Sequence, residues 1–372
     1  MTRPGLLLGG VLLGAAALGS CASAPAAQDR AGTATRCEAS AQFSFICGAT
    51  KPEDLAQIAD TPWVVASGFA TGAGLKIVDS RMRKAKPWFR GGADQITRDA
   101  RYPDCDMPPD PALFTPRGIS LRVTAPGVGR LLVVNHGGRE AIEVFAVDFS
   151  HATAQPLLRW QGCLAMPPGH AANSVASYAD GTVIATVLTR PGTSITDFVV
   201  GRATGAVFER KPGERAFRML PGTELPGNNG LETAQDDSGF YVVAFGLREV
   251  VAYARHDTRQ PLWRALAPEF MPDNIHWDGD RLLLAGMIRD EPACGGVRQI
   301  VNGVADGMTC HRGYAVAQLD PATQRFSLIA YGPPDPVFNG VSAAIVLGKS
   351  VWLGSYQSDR IAIGPLPEND MN

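Results

Sequence analysis

Several features that would place this chain quickly are missing from it. Its 372 residues hold 34 Lys+Arg against 36 Asp+Glu, with no basic run anywhere. Nothing in it is suited to neutralising a phosphate backbone, so nucleic acid is excluded as a partner. No GxGxxG or GxxxxGK[ST] string occurs, which leaves nucleotide binding unsupported. Ser67, Ser120 and Ser342 sit in no Gly-x-Ser-x-Gly elbow, so a serine hydrolase has no sequence support. No CxxC or Cys/His spacing marks a zinc site. Charge is modest at 19%, but 45% of the residues are hydrophobic, which excludes disorder.

What is present points to strands and to export. The 41 Gly and 28 Pro fall at short intervals between runs of Val, Leu, Ile and Ala, the pattern of an all-β chain. Residues 1–20 read as a secretory signal: one early charge, Arg3, then an apolar stretch from Leu6 to Leu18 that is too short for a permanent membrane helix. Leu18-Gly19-Ser20-Cys21 resembles a bacterial lipobox, so Cys21 is expected to carry a lipid anchor, with cleavage near Ala22-Ser23-Ala24 as the alternative. Residues 21–36 then form a small-residue tether, and 37–372 the folded domain. The expected location is the periplasm or the outer surface, held at a membrane through Cys21.

Six further cysteines allow up to three disulfides and fifteen pairings. Cys37–Cys47, Cys105–Cys163 and Cys294–Cys310 are the pairs expected here, although spacing alone does not choose among the fifteen.

A repeat runs through the domain. A polar opener precedes an apolar strand, a Gly-containing turn follows, and a strongly hydrophobic strand comes next. Arg117-Gly118-Ile119 precedes Leu131-Leu132-Val133-Val134; Asn173-Ser174-Val175 precedes Thr182-Val183-Ile184-Ala185; Asn229-Gly230-Leu231 precedes Phe240-Tyr241-Val242-Val243. Asn274-Ile275-His276 and Asn339-Gly340-Val341 open two more copies, and Glu53-Asp54-Leu55 a weaker sixth. The mean interval of about 57 residues suits a four-stranded blade with long loops. The expectation is a six-bladed β-propeller with four-stranded blades around a central metal-binding channel. A single Asn-Gly pair ordinarily means a turn. Six openers at the starts of six inner strands would instead converge on one axis.

The converging set is Glu53, Asn173, Asn229, Asp273 and Asn274. Two carboxylates and three amide carbonyls suit Ca²⁺, ahead of Mg²⁺ with its stricter octahedral geometry. An ion there could also simply tie the blades together.

Pro52-Glu53-Asp54-Leu55, Gly118-Ile119-Ser120-Leu121, Leu132-Val133-Val134-Asn135-His136 with Glu143-Val144-Phe145, Asn229-Gly230-Leu231 and Asp273-Asn274-Ile275 resemble, in order, motifs of the paraoxonase/arylesterase family. That family belongs with gluconolactonases and strictosidine synthase-like six-bladed propellers, and the likeness spans about residues 37 to 364. The resemblance implies that Glu53, Asn173, Asn229, Asp273 and Asn274 ligate a catalytic calcium and that His136 belongs to a general-base pair. Two positions depart from the family. Arg117 stands where a histidine usually precedes Gly-Ile-Ser, and a guanidinium cannot act as a base. It is expected either to point into the pocket and pair with a substrate carboxylate or to satisfy blade carbonyls. Ser174 replaces an aspartate that, with the residue matched by Asp54, contributes to a second, structural calcium, so one ion is expected and the second lacks one of its charges.

His170, His276 and His311 are isolated in sequence; His276 lies two residues after Asn274 on the same strand face and could approach the site, but packed or surface positions are the commoner outcome. Tyr102 to Pro116 and Glu291 to Arg312 read as long loops that could cover the channel mouth. The preferred function is a calcium-dependent hydrolase of lactones or aryl esters, favouring carboxylated substrates. The rivals are a non-catalytic calcium-braced propeller lipoprotein that binds a ligand or protein partner, and a metal-dependent lyase or isomerase on the same fold.

Overall fold

Short alternating runs punctuated by Gly and Pro do become strands. In a computed structural model, which describes residues 37–151, 154–305 and 310–367, the chain forms six four-stranded antiparallel sheets around one axis. The signal segment and Cys21 lie outside the described residues. Blade one comprises Leu55–Gln57, Trp63–Ala66, Lys76–Asp79 and Lys84–Pro87. The inner strands of blades two to six are Pro116–Ala125, Ala172–Ser177, Asn228–Thr233, Phe270–Asp278 and Val341–Leu347. Every opener read from the sequence thus stands at the head of an inner strand, as a six-bladed β-propeller requires.

Blade six is closed by the start of the domain. Ser44–Cys47 pairs antiparallel with Arg360–Pro365, so the first strand of the chain completes the last blade and leaves no open edge between them. Cys37–Cys47 fastens that strand, Cys105–Cys163 ties the segment before blade two to its outermost strand, and Cys294–Cys310 closes a loop of blade five. All three expected pairs are present, with Cα atoms 5.9, 5.5 and 5.7 Å apart.

The core is divided. Six apolar clusters lie between neighbouring blades, because each sheet buries both faces against the next. Phe114 and Phe145 between blades one and two are fully buried, contributing roughly 1.5–3 kcal/mol each. The axis itself is lined with polar groups.

Five of the six inner strands break register at the opener: between Pro116 and Ile119, Ala172 and Val175, Asn228 and Leu231, Pro272 and Ile275, and Val341 and Ala343. A bulge leaves residues out of the ladder and re-aims their side chains, here at the channel. The Asn-Gly at Asn229-Gly230 is therefore bulged strand and not a turn. Glycine follows Arg117 and Asn229 for a steric reason. A Cβ on Gly118 would lie 2.7 Å from the carbonyl oxygen of Asn173, and one on Gly230 2.5 Å from that of Asp273. Inner strands pack backbone to backbone at these points, which draws the openers together.

The described residues include one α-helix, Ile195–Val199, capped by a reciprocal Ser194/Asp197 box, and no helix long and apolar enough to cross a membrane.

Candidate functional site

Bulges place four of the five sequence-predicted oxygen donors, and Glu53 joins them from the entry to blade one. Asn274 Nδ2 donates to Glu53 Oε1 at 3.0 Å and to the Glu53 carbonyl at 3.2 Å, while Ser342 Oγ donates to the same carbonyl at 2.6 Å. Blades five and six thereby fix a residue that leads into blade one. Across the channel Asn173 Nδ2 donates to Asn229 Oδ1, and the Asn229 side chain hydrogen-bonds Asp273. Glu53, Asn229, Asp273 and Asn274 are each less than a tenth exposed.

This group is electrostatically unfinished. Burial, reinforced by the charges of Asp54 and Asp273, pushes the Glu53 carboxyl well above its ordinary value, against the hydrogen bond from Asn274 and the charge of Arg117. Burial also raises Asp273, against its hydrogen bond with Asn229 and with a further push from Asp54. Seven buried side-chain polar atoms among the described residues have no hydrogen-bond partner, and two of these are Glu53 Oε2 and Asn274 Oδ1. Such groups are costly unless something completes them. Two carboxylates with three amide oxygens and no thiolate form a hard-cation donor set, and the residues fit Ca²⁺ on that chemistry. Among the described residues no three His, Cys, Asp or Glu side chains cluster to hold a metal ion, so the fit depends on the amides.

Arg117 stands beside the group as a third unfinished feature. Its guanidinium lies over the Phe69 ring, Cζ 3.0 Å from the centroid, with Nε buried and without a partner. Among the described residues it hydrogen-bonds no blade carbonyl. Burial lowers its pKa to about 10, with Glu53 and Glu140 opposing, so it remains a cation at neutral pH. Phe69 packs edge-on against Tyr356 at 5.8 Å, and burial and the nearby Asp273 charge push the Tyr356 hydroxyl upward.

His136 lies just after the second strand of blade two, one-fifth exposed, with Nδ1 2.7 Å from Glu140 Oε2. A carboxylate on Nδ1 fixes the tautomer and leaves Nε2 as the acceptor. Motif and resemblance name no partner for His136 in this chain. The missed signal is the i,i+4 spacing of His136 and Glu140 across the Gly137-Gly138 turn.

Asp54, adjacent to Glu53, is by contrast complete. Its Oδ1 accepts from Leu55 N at 2.9 Å and lies 2.7 Å from His276 Nε2, and its Oδ2 accepts from Ile119 N at 2.8 Å. His276 Nδ1 faces Glu232 Oε2 at 3.5 Å. Burial works against the imidazolium, yet Asp54 and Glu232 outweigh it and push His276 up to about 10. Asp54, which the family resemblance links to a second ion, faces the His276 imidazole here. His276 is a packed histidine on the strand that carries Asn274, and it faces Asp54 and Glu232. The other isolated histidines are peripheral. His170 Nδ1 lies 3.1 Å from the Pro168 carbonyl oxygen, and His311 Nδ1 2.6 Å from that of Asp335.

The two long loops differ. Residues 102–116 run along blade two, where Phe114 enters the core. The Glu291 to Arg312 loop reaches blade three, where Ala305 N donates to Thr196 Oγ1 at 3.0 Å.

No protein-family model matches the sequence, and no curated protein matches it either. Many solved structures share the overall arrangement at low identity. A luciferin-regenerating enzyme structure aligns with TM-score 0.49 and 12% identity over 87% of this chain and 94% of its own. A regucalcin from Agrobacterium tumefaciens, described as a calcium-binding protein, gives 0.49 and 9% over 88% and 94%. A virginiamycin B lyase from Staphylococcus aureus gives 0.46 and 11% over 86% and 96%. At these values the functional argument rests on the side chains of this chain alone.

Proposed function

We propose that this protein is a calcium-dependent hydrolase of lactones or aryl esters that favours substrates bearing a carboxylate, exported and lipid-anchored at a bacterial membrane through Cys21. The observation that carries the reading is the group at the axis. Five oxygen-bearing side chains from four blades meet there, and Glu53 Oε2 and Asn274 Oδ1 are buried without partners. A purely structural axis could be filled with apolar side chains at no such cost.

Glu53, Asn173, Asn229, Asp273 and Asn274 would hold the ion. Bound Ca²⁺ supplies a Lewis acid for a carbonyl oxygen. The chain's own groups do the rest. Glu140 holds His136 by Nδ1, and Nε2 takes a proton from water as the water oxygen bonds to the carbonyl carbon. The carbon–oxygen bond to the leaving group then breaks, and the departing alkoxide or phenoxide takes that proton from the imidazolium. Arg117, over the Phe69 ring, offers free donors to a second carboxylate on the substrate.

The test is the initial rate of the full-length protein, in detergent, on a panel of lactones and aryl esters with chelator and then with calcium. Hydrolysis restored by calcium and abolished by Asn229→Ala is the expected result. No turnover, alongside a calcium-dependent rise in melting temperature, would replace this reading with the non-catalytic one. Proton abstraction without hydrolysis would replace it with the lyase or isomerase.

A further inference from the structure

A cavity of about 270 Å³ opens between three elements: the helix Ile195–Val199 of blade three, the turn at residues 245–248 of blade four, and the loop from Glu291 of blade five. It has room for roughly nine waters at about 30 Å³ each. Its body is apolar. Phe198 and Phe245 meet edge to face at 5.9 Å, and Leu247 and Met271 line the same space. Met271 precedes Asp273 by two residues on one strand, about 7 Å along it. The cavity therefore sits on the wall next to the axial donor set.

Its rim is cationic. Arg248, Arg289 and Arg298 all line it. Arg248 Nη1 reaches only the Ala267 carbonyl, at 3.3 Å, and Arg289 Nη1 only Glu269 Oε2, at 4.0 Å. Glu269 is 78% exposed, so solvent screens that contact heavily. Burial and then the neighbouring charge of Arg289 push the Arg248 guanidinium down, with Glu269 opposing. Arg248 also has φ +58°, a left-handed conformation that favours glycine, yet a large cation occupies it. Arg248 and Arg289, like charges beside an aromatic cavity with one distant and screened carboxylate between them, lack an anion.

We propose that this cavity binds an amphipathic carboxylate, with its acyl or aryl body against Phe198, Phe245, Leu247 and Met271 and its anionic head between Arg248 and Arg289. A guanidinium pair grips a carboxylate through paired N–H donors, and an apolar pocket with a few convergent polar groups is the usual form of a small-molecule site. The assignment goes beyond the hydrolase reading and does not depend on it, since a carboxylate needs no calcium and no turnover to bind here.

The experiment is calorimetric titration of the full-length protein, with chelator present, using octanoate, octan-1-ol and acetate. Octanoate is expected to bind at least tenfold more tightly than either of the others, with affinity falling as salt rises. Arg248→Gln/Arg289→Gln should weaken octanoate at least tenfold, and Val199→Trp, which fills the cavity, should weaken it without altering the rim. Arg117→Gln should leave it unchanged. Thermal melts that match the parent establish that each variant is folded. Equal binding of octanoate and octan-1-ol would overturn the proposal. So would octanoate binding that survives Arg248→Gln/Arg289→Gln but is lost in Arg117→Gln, which would assign the anion to the channel.

Discussion

Glu53 and Asp54 are consecutive, acidic and buried, yet they have opposite surroundings. Asp54 receives two backbone N–H groups and the His276 imidazole, so both its oxygens are engaged. Glu53 receives one side-chain amide on Oε1 and nothing on Oε2. Burial alone is the same in both cases. What separates a carboxylate that holds the fold from one kept for a ligand is whether the chain supplies its own counter-charge. At Asp54 blade five supplies His276; at Glu53 it supplies Asn274, which is neutral and has an unpartnered oxygen of its own.

That contrast can be broken from either side. Removing His276 should have the largest effect, because it leaves Asp54 buried as a bare charge. His276→Ala is expected to cost about 3 kcal/mol in denaturant unfolding, with or without calcium. Next comes the base pair. Glu140→Gln keeps the shape but not the charge on Nδ1, and is expected to lower kcat on a lactone about tenfold at unchanged KM, with Glu140→Asp recovering part of the loss. Arg117→Ala should raise KM about tenfold for carboxylated esters and leave neutral esters unaffected, since only the former use the free guanidinium donors. The smallest effect should come from Glu53→Gln. In the metal-free chain it discards an uncompensated charge and should change unfolding free energy by no more than about 1 kcal/mol, while erasing any calcium-induced rise in melting temperature.

The sequence carried the blade count because the openers share a physical task. Residues at the heads of inner strands must be polar and must pack closely, so Asn173, Asn229 and Asp273-Asn274 recur at blade spacing. It did not reveal how those heads are built. A bulge at Asn229-Gly230 and a turn at Asn-Gly have the same local chemistry, and only convergence on the axis separates them. The closing strand Ser44–Cys47 was equally hidden, since four residues pairing with the far end of the chain leave no local mark. The axial donors were legible, but their partners were not. Asp54 and His276 are 222 residues apart in sequence and meet only through the closed ring of blades. Phe69, which carries Arg117, and Tyr356, which packs on Phe69, lie in connecting loops with no periodic signal.

We propose that the Glu53 group is a divalent-cation site and that Asp54 is not part of one. Calorimetric titration of Ca²⁺ into the full-length protein and its Glu53→Gln and His276→Gln variants tests both halves together. One equivalent bound by the parent, lost in Glu53→Gln and retained in His276→Gln, is the result this account predicts. Two equivalents in the parent, or binding that survives Glu53→Gln, would contradict it.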